Sequence, residues 1–574
     1  MFSFVRRERS LSPRLGGLEE RSADFRHSFT FNEVSEFAQD ALAVLATIRE
    51  WRNALIRVNR IPTDVLSLIP THLSHGDRFR TSFVCRHWRR TFLHDATLWS
   101  QLHLSKGEAY VKTLLERAKG SALDITVNGI DSVDPMALLS PHTKQIRHLD
   151  FVRNYWPDIQ RFSEVNSGLP LLATLRINAA NDKEFSFDVS RDMTPPSLPL
   201  FHNAVNLKEF FLYSDGPPFL DHFSFPNLTT FKLSTVPEGN FCVSQLLNFL
   251  EASPMLQTVD VDITVDTVLE DVPRERVIVL PDVETFSLVV NCGGPGLEIA
   301  THISCPSARH TSLLRQTYVG EITPREILPS SVSWNSIVRQ YTRSPAEEVT
   351  LGIQIAPEPT VTCSLTFRSS DASVIKLGFE VAESDDEFDA EFSEDMHSEV
   401  VSQAYRIIRD HPLLANVRYL HISDNSHLSG PIKHRLIANE VRRAFQSVGP
   451  LEKLTIDGCD PRSYLLPFLD LPEPYDIEQP FAFPSVKELT ILHPLPALQE
   501  ESMAAIVRLV KSQHALGEPF KRVTVRTAEL PTTIAEELRP WVGVADCCEE
   551  VPMGDYISTP TPSVAQEEEI HFFC

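Results

Sequence analysis

Several features that would indicate a catalyst or a membrane protein are missing from this 574-residue sequence. It has no phosphate-binding P-loop motif, no GxSxG nucleophile motif, no HExxH zinc-binding motif and no GxGxxG dinucleotide-binding motif. Its longest aliphatic run near the N-terminus, Ala41–Ile48, falls far short of the roughly 20 apolar residues that span a bilayer. We therefore predict no catalytic residues, no cofactor and no membrane span.

Positive charge is also scarce, with 53 Lys+Arg against 77 Asp+Glu and a net charge of −24. A chain this acidic is a poor ligand for nucleic acid and is repelled by anionic membrane surfaces. The nine cysteines form no CxxC pair, which favours reduced thiols inside the cell. No signal peptide is recognisable at the N-terminus, so we expect a cytoplasmic or nuclear protein.

The chain is too long for one ordinary core, because domains typically hold about 100–200 residues. Residues 1–31 are rich in Arg and Ser and are predicted to be a disordered tail, as are residues 546–574. Between them, residues 32–58 carry apolar side chains at steps of three and four, which predicts an amphipathic helix.

A short pattern recurs through residues 105–545: a Pro or another turn residue, then apolar residues at the third, sixth and eighth positions. Copies begin at residues 144, 170, 205, 226, 254, 281, 412, 449, 484 and 518. The alternation of the sixth and eighth positions predicts a short strand with one buried face. This is the loose rhythm of leucine-rich repeats, and such units must stack to bury their apolar faces. Single copies arise by chance in any α/β protein, but ten copies favour an array.

The region from Pro306 to about His397 departs from that rhythm. Three segments within it, 347–355, 360–367 and 374–381, are predicted strands. They are followed by an acidic insert at residues 383–395, with eight carboxylates in thirteen residues, which predicts a solvated loop.

Residues 59–104 form a different unit, a predicted helical module. Pro62 sets a turn, and Asp64 opens an apolar helix that contains Leu66 and Ile69. A second helical pattern includes Trp88 and Phe92, with five arginines interleaved. So small a unit cannot hide this much apolar surface by itself, so a partner or a neighbouring helix is expected.

The module resembles the F-box family, whose motif runs Leu-Pro-x-Glu-x-Leu, then Val-Cys-x-x-Trp, then Leu-Trp. Here the three corresponding segments of the motif begin at Ile61, Val84 and Leu98, in the same order and with the same spacing. The resemblance implies docking of a Skp-type adaptor of an SCF (cullin-RING) ubiquitin ligase. The residues it assigns to the adaptor face, as contacts or as their support, are Ile61, Pro62, Asp64, Leu66, Ile69, Val84, Cys85 and Trp88. A local core against the preceding helix is the alternative for these residues; contact is favoured for Pro62 and Leu66, and both interpretations stay open for Trp88 and Phe92.

The fold class that follows is α/β, an N-terminal helical F-box followed by an irregular leucine-rich-repeat-like solenoid. The predicted function is the substrate-recognition subunit of an SCF-type ligase, with an unknown protein target held by the repeats. A repeat scaffold that recruits no ligase is the alternative, favoured by Pro70, which should shorten the first F-box helix. A third alternative, a hydrolase on an α/β core, is not supported by any nucleophile motif in the sequence. His72, His75, His87 and His94 lack carboxylate or Cys neighbours at ligand spacing, so no metal site is predicted.

Overall fold

A computed structural model describes most of the elements that the sequence predicts, with gaps. The described residues are 30–56, 61–105, 107–128, 138–166, 168–179, 199–214, 218–235, 242–264, 272–273, 275–291, 296–319, 341, 346–355, 360–383, 417–424, 451–457, 486–492, 500–515, 517–526, 536–542 and 544–547. The predicted tails (1–29 and 548–574) and the acidic insert beyond Glu383 lie outside these ranges. Within them, no helix combines the length and apolarity that a membrane span requires.

The α-helices of the described residues are α1 (Phe31–Leu55), α2 (Thr63–Leu68), α3 (His75–Thr81), α4 (Arg86–His94), α5 (Glu108–Ala118), α6 (Trp156–Val165), α7 (Val243–Glu251) and α8 (Glu500–Ala515). The strands are β1 (Gln101–His103), β2 (Leu123–Asn128), β3 (Ile146–Asn154), β4 (Thr174–Ala179), β5 (Glu209–Ser214), β6 (Thr230–Thr235), β7 (Thr258–Thr264), β8 (Ile278–Val279), β9 (Thr285–Asn291), β10 (Ile303–Ser304), β11 (His310–Val319), β12 (Ala346–Ile355), β13 (Thr360–Ser369), β14 (Val374–Glu383), β15 (Tyr419–Asp424), β16 (Lys453–Asp457), β17 (Glu488–Leu492), β18 (Arg522–Arg526) and β19 (Val544–Cys547).

The chain divides into two compact units. Unit 1 comprises residues 1–154 and 165–172, and unit 2 comprises residues 155–164 and 173–574. Unit 1 contains helices α1 to α5 and three parallel strands, β1 to β3. In these strands the buried residues Leu102, Ile125 and Leu149 align side by side.

Unit 2 is built on strands whose apolar residues align from strand to strand, and all the strands of its two ladders except β13 run parallel. The first ladder contains the sixth-position residues and the residues of β14, β13 and β12 that align with them: Leu175, Phe210, Phe231, Val259, Phe286, Thr311, Ile375, Phe367, Val349, Leu420, Leu454, Leu489 and Val523. The eighth-position residues form the second ladder: Ile177, Leu212, Leu233, Val261, Leu288, Leu313, Leu377, Leu365, Leu351, Ile422, Ile456, Ile491 and Val525. No member of either ladder is more than 3% exposed. The predicted alternation therefore places one continuous apolar face under these strands.

Helix α7 covers part of that face. Its Phe249 ring lies 4.6 Å from the ring of Phe231, and Phe231 stacks 5.8 Å from Phe210. Two rings from the segment before β6, Phe223 and Phe225, complete the cluster at 4.9 and 5.2 Å from Phe210. Aromatic residues bury large areas and pack at these separations, so this cluster contributes an aromatic part of the core of unit 2.

Backbone hydrogen bonds link successive copies of the recurring pattern just before their strands. The amide of Lys208 donates to the carbonyl of Ala173, and the amide of Thr229 donates to the carbonyl of Lys208. The series continues with the amides of Gln257, Glu284 and Arg309. Each amide donates to the carbonyl of the fourth residue in the preceding copy of the pattern. These bonds satisfy backbone groups where the chain turns into each strand.

The segment from Pro306 to Leu313 corrects one sequence prediction, because it follows the recurring pattern and leads into the next parallel strand. Strand β11 pairs in parallel with β9, with Thr311 opposite Phe286 and Leu313 opposite Leu288. The pattern was missed because Ala308 and Thr311 occupy the third and sixth positions, although they are only 7% and 3% exposed.

The three predicted strands that follow are confirmed as β12, β13 and β14, but their spatial order is reversed. Strand β14 pairs in parallel with β11, β13 pairs antiparallel with both of its neighbours, and β12 pairs in parallel with β15. Because two reversals cancel, the strands after the insertion keep the direction of those before it.

The copy predicted to begin at Pro412 is displaced by three residues. Leu420 and Ile422 align with Leu454 and Ile456, so the copy begins at residue 415. Tyr419, which the earlier register placed at a buried position, is 41% exposed. Copies then start at 415, 449, 484 and 518, a more regular spacing than the sequence indicated.

Candidate functional site

The helical module begins at Pro62, the N-cap residue of α2. Leu66 donates its amide to the carbonyl of Pro62 at 2.9 Å and buries its side chain completely. Helix α2 ends at Leu68, and a 3₁₀ turn over Ile69–His72 follows. Pro70 lies in this turn and is buried; having no N–H, it cannot continue the α-helical bonding.

Helix α3 is held at its start by a side-chain cap. The amide of Asp77 donates to Ser74 Oγ at 3.3 Å, and that hydroxyl donates back to the Asp77 carboxylate at 2.8 Å. Arg80 pairs with the same carboxylate at 3.0 Å. The hydrogen bond from Ser74, reinforced by Arg80, lowers the pKa of Asp77 below its ordinary value.

Helix α4 follows Cys85, whose extended backbone forms the N-cap. One side of the helix buries Trp88 and Phe92, with ring centroids 5.5 Å apart. The opposite side exposes Arg86, Arg89 and Arg90. Arg86 forms an ion pair with Glu50, which connects α4 to α1.

Aromatic packing closes the C-terminal side of the module. The Phe79 ring lies 6.1 Å from Trp99 in an edge-on arrangement and 6.4 Å from Tyr110 of α5. The guanidinium of Arg117, also on α5, lies 4.9 Å from the Trp99 ring. Helix α5, which is outside the predicted module, therefore supports it.

The eight residues assigned to the adaptor face differ in exposure. Pro62, Asp64 and Val84 are exposed, and Val84 reaches 61%. Ile61, Ile69 and Cys85 are partly exposed. Leu66, at 0%, and Trp88, at 8%, are buried, so these two side chains act in the core of the module. The eight residues thus combine surface positions with positions that support the surface.

Three exposed apolar side chains of the module were missing from that set. Val65 is 50%, Leu68 is 59% and Phe83 is 60% exposed. The Phe83 ring packs 5.5 Å from Phe79, and the guanidinium of Arg89 lies 5.5 Å above it. The helical spacing of Val65, Leu68 and Phe83 was visible in the sequence, but spacing alone could not separate them from the buried Leu66 and Trp88.

A cleft of about 610 Å³ lies between α2 and α4. Its lining is polar and comprises Thr63, Asp64, Ser67, His87, Arg90, Thr91, His94 and Asp95. Small-molecule sites are usually lined mainly by apolar side chains, so this composition does not resemble one. Within the described part of the chain, no group of three or more His, Cys, Asp or Glu side chains is arranged to hold a metal ion.

The solvent-facing side of the strands of unit 2 carries paired polar and aromatic groups. The Arg176 guanidinium lies 4.8 Å above the Phe211 ring, and Lys232 lies 3.4 Å from Asp260. Burial, followed in size by the nearby Asp260 charge, raises the pKa of Asp262 to about 6, although Asn291 donates a 3.1 Å hydrogen bond to it. This face therefore presents charged, hydrogen-bonding and aromatic groups.

Comparisons with known proteins identify the module but not the rest of the chain. Residues 58–105 match the family profile described as F-box-like, a class of interaction module and not of catalysts. No curated protein matches the chain. Among solved structures, the chain is similar to the crystal structure of Listeria monocytogenes InlP, at 13% identity and a TM-score of 0.22, over 50% of this chain and 90% of that one. A similarity this low carries no argument about the fold.

Proposed function

We propose that this protein is a substrate-recognition adaptor of an SCF-type ubiquitin ligase, active in the cytoplasm or nucleus. In this proposal the module at residues 61–104 docks a Skp-type adaptor, and a leucine-rich-repeat-like solenoid in unit 2 holds the target protein. The observation that carries the proposal is the F-box-like match over residues 58–105, because F-box domains generally bind such adaptors.

The surface of the module supports docking of an acidic partner. It exposes four large apolar side chains: Val65, Leu68, Phe83 and Val84. Exposed apolar groups of this size mark interaction surfaces when they occur together. Residues 61–104 of the module also have five arginines against three aspartates, a net charge of +2 in a chain of −24. Its charge is therefore opposite to that of the rest of the protein.

The predicted adaptor-face residues divide into two roles in this proposal. Pro62, Asp64 and Val84 contact the adaptor directly, with Ile61, Ile69 and Cys85 at the margin of the contact. Leu66 and Trp88 hold α2 and α4 in place from the core, because almost no surface of either is available to a partner.

The parallel strands of unit 2 support the second half of the proposal. Their buried face is a continuous pair of apolar ladders, which leaves the other face for a ligand. The alternative function is a repeat scaffold that recruits no ligase. The feature that favours the alternative is α2, which ends after six residues where Pro70 follows.

Adaptor binding by the full-length chain tests the proposal. The chain is immobilised, and a purified Skp-type adaptor is titrated against the native protein and against Val84→Asp. A charge at the centre of an apolar contact should weaken binding by roughly tenfold or more, since burying a Val contributes about 1.5–3 kcal/mol.

A matched control places the same charge on another exposed valine, in unit 2. Val205 is 53% exposed, so Val205→Asp should bind the adaptor like the native chain. If the native chain itself fails to bind the adaptor, the scaffold without ligase recruitment becomes the better description.

A further inference from the structure

The cleft between α2 and α4 contains a buried polar atom that has no hydrogen-bond partner. The ring of His87 lines the cleft, and its Nε2 atom is buried without a partner among the described residues. A buried polar atom left in this state costs free energy, and such atoms are uncommon in folded proteins. A binding partner that placed a polar group in the cleft would remove that cost.

Several other polar groups that line the cleft are already bonded within the module. Ser67 and Thr91 donate their hydroxyls to backbone carbonyls of their own helices, at 2.8 and 3.1 Å. The Nδ1 atom of His94 lies 2.7 Å from a backbone carbonyl of α4, and Asp95 accepts two hydrogen bonds from Thr97. These groups are therefore less available to a ligand.

Unbonded polar groups remain on both walls of the cleft. On the α2 wall, the Asp64 carboxylate accepts a hydrogen bond of 3.3 Å from Thr63 and can accept more. On the α4 wall, the guanidinium of Arg90 has no partner within the described part of the chain and can only donate. His87 lies on the same wall as Arg90. The cleft thus presents an acceptor on one wall and donors on the other.

We propose that this cleft binds the carboxamide group of an Asn or Gln side chain of the docked adaptor. The carboxamide oxygen accepts from Arg90 or His87, and the carboxamide NH₂ group donates to Asp64. A carboxylate in the same place would be repelled by Asp64 and Asp95, and a cationic group would be repelled by Arg90. A carboxamide satisfies both walls without bringing like charges together.

The cleft adjoins the surface through which docking is proposed, which is why the same adaptor is its occupant. Asp64 and Leu68 are four residues apart on α2, so they lie on the same side of the helix. Leu68 is 59% exposed and is one of the apolar side chains of the proposed docking surface. The inference rests on the proposed function, because an adaptor that covers Leu68 lies next to the α2 wall of the cleft.

Titration of a purified Skp-type adaptor against full-length variants tests the chemistry of the ligand. A carboxamide requires both walls, so Asp64→Ala and Arg90→Ala should each weaken adaptor binding by roughly tenfold. A carboxylate would bind more tightly to Asp64→Ala, and a cationic group would bind more tightly to Arg90→Ala; either result would overturn the proposal. Arg147→Ala, which removes an exposed arginine from β3, should bind like the native chain.

His87→Phe separates binding from folding. The variant keeps an aromatic ring but lacks the buried Nε2 atom, so it should unfold at or above the native temperature while adaptor binding falls by about three- to tenfold. A fall in both stability and affinity would indicate a structural role for His87 and overturn the proposal. Native-like adaptor binding by Asp64→Ala, Arg90→Ala and His87→Phe would overturn this inference alone, whereas a native chain that binds no adaptor would overturn the proposed function with it.

A double-mutant cycle identifies the side chain that enters the cleft. Each Asn and Gln of the adaptor is replaced by Ala, and each adaptor variant is titrated against the native chain and against His87→Phe. For the side chain in the cleft, the replacement should weaken binding to the native chain by about three- to tenfold and have little further effect on His87→Phe. If no replacement shows this coupling, a side-chain carboxamide does not occupy the cleft and the proposal is wrong.

Discussion

The indole N–H of Trp99 donates a 2.8 Å hydrogen bond to the backbone carbonyl of Phe92, and both side chains are almost completely buried. The bond joins the last turn of the module to the end of α4. Buried indole groups usually require such a partner, and a buried carbonyl left without its donor is costly.

Trp99→Phe should therefore destabilise unit 1. The variant loses the donor to Phe92 and leaves part of the indole space empty, so we expect a loss of about 2–4 kcal/mol in the free energy of unfolding. Denaturant unfolding followed by circular dichroism measures it. His94→Phe, a change at the exposed last residue of α4, should lie within about 0.5 kcal/mol of the native chain.

Leu66 and Val65 are neighbours on α2 with opposite expected phenotypes. Leu66 is completely buried, so Leu66→Ala should cost about 2–5 kcal/mol of stability. Val65 is 50% exposed, so Val65→Ala should leave stability nearly unchanged and affect only adaptor affinity. Thermal unfolding and adaptor titration of the two variants separate these effects, and equal stabilities would show that the burial of Leu66 is unimportant.

Asp262 should make the stability of unit 2 depend on pH. Its pKa rises to about 6 in the folded chain from an ordinary value of 3.8, mainly through burial. From about pH 4 to pH 6 the folded chain thus holds this proton more tightly than the unfolded chain, and its contribution to the free energy of unfolding falls as pH rises. Above that window the contribution stays low.

Asp262→Asn provides the measurement, because its amide oxygen can still accept the hydrogen bond from Asn291 and carries no charge. The variant should be more stable than the native chain near pH 7, and the difference should shrink towards pH 4. Thermal unfolding of both proteins at a series of pH values checks the trend. A constant difference across this range would mean that Asp262 is not the group responsible.

Gly378 lies opposite Leu314 on the neighbouring strand. A Cβ at Gly378 would approach Leu314 Cδ1 to 2.6 Å, so Gly378→Ala forces that side chain to move. Against this, alanine reduces the freedom of the unfolded chain and is favourable by about 0.5–1 kcal/mol. We expect the steric cost to exceed this gain, with a net loss of about 1 kcal/mol in unfolding free energy.

The same substitution in a Leu314→Ala background isolates the contact between the two residues. With the Leu314 side chain removed, Gly378→Ala should become neutral or stabilising. A double-mutant cycle from denaturant unfolding gives the coupling energy. Additive effects would show that the close approach in the structure does not determine the cost.

Much of this architecture could be predicted from the sequence, because the sixth and eighth positions of most copies are large and apolar. The prediction failed where that signal is weak. Thr311 is polar but occupies a buried sixth position, and Tyr419 is aromatic and fits the predicted eighth position although it is exposed. The reversed order of β12 to β14 could not be predicted from local sequence patterns, because strand pairing depends on contacts between distant segments. In the module, the F-box-like motif predicted where the helices lie. Only the structure shows that Leu66 is buried and Val65 is exposed.

The reversed insertion also affects how the chain can reach its fold. His310 of β11 pairs with Val374, 64 residues later, whereas Tyr419 pairs with Lys453, 34 residues later. The distant pairing has the larger loop-closure entropy, but β12, β13 and β14 are joined by short connections at residues 356–359 and 370–373 and can first form a local meander. A chain cut between β11 and β12 would leave the β14 edge on the C-terminal fragment in the register that β11 requires. The two fragments therefore have the strand edges needed for complementation along the pairing of β11 with β14.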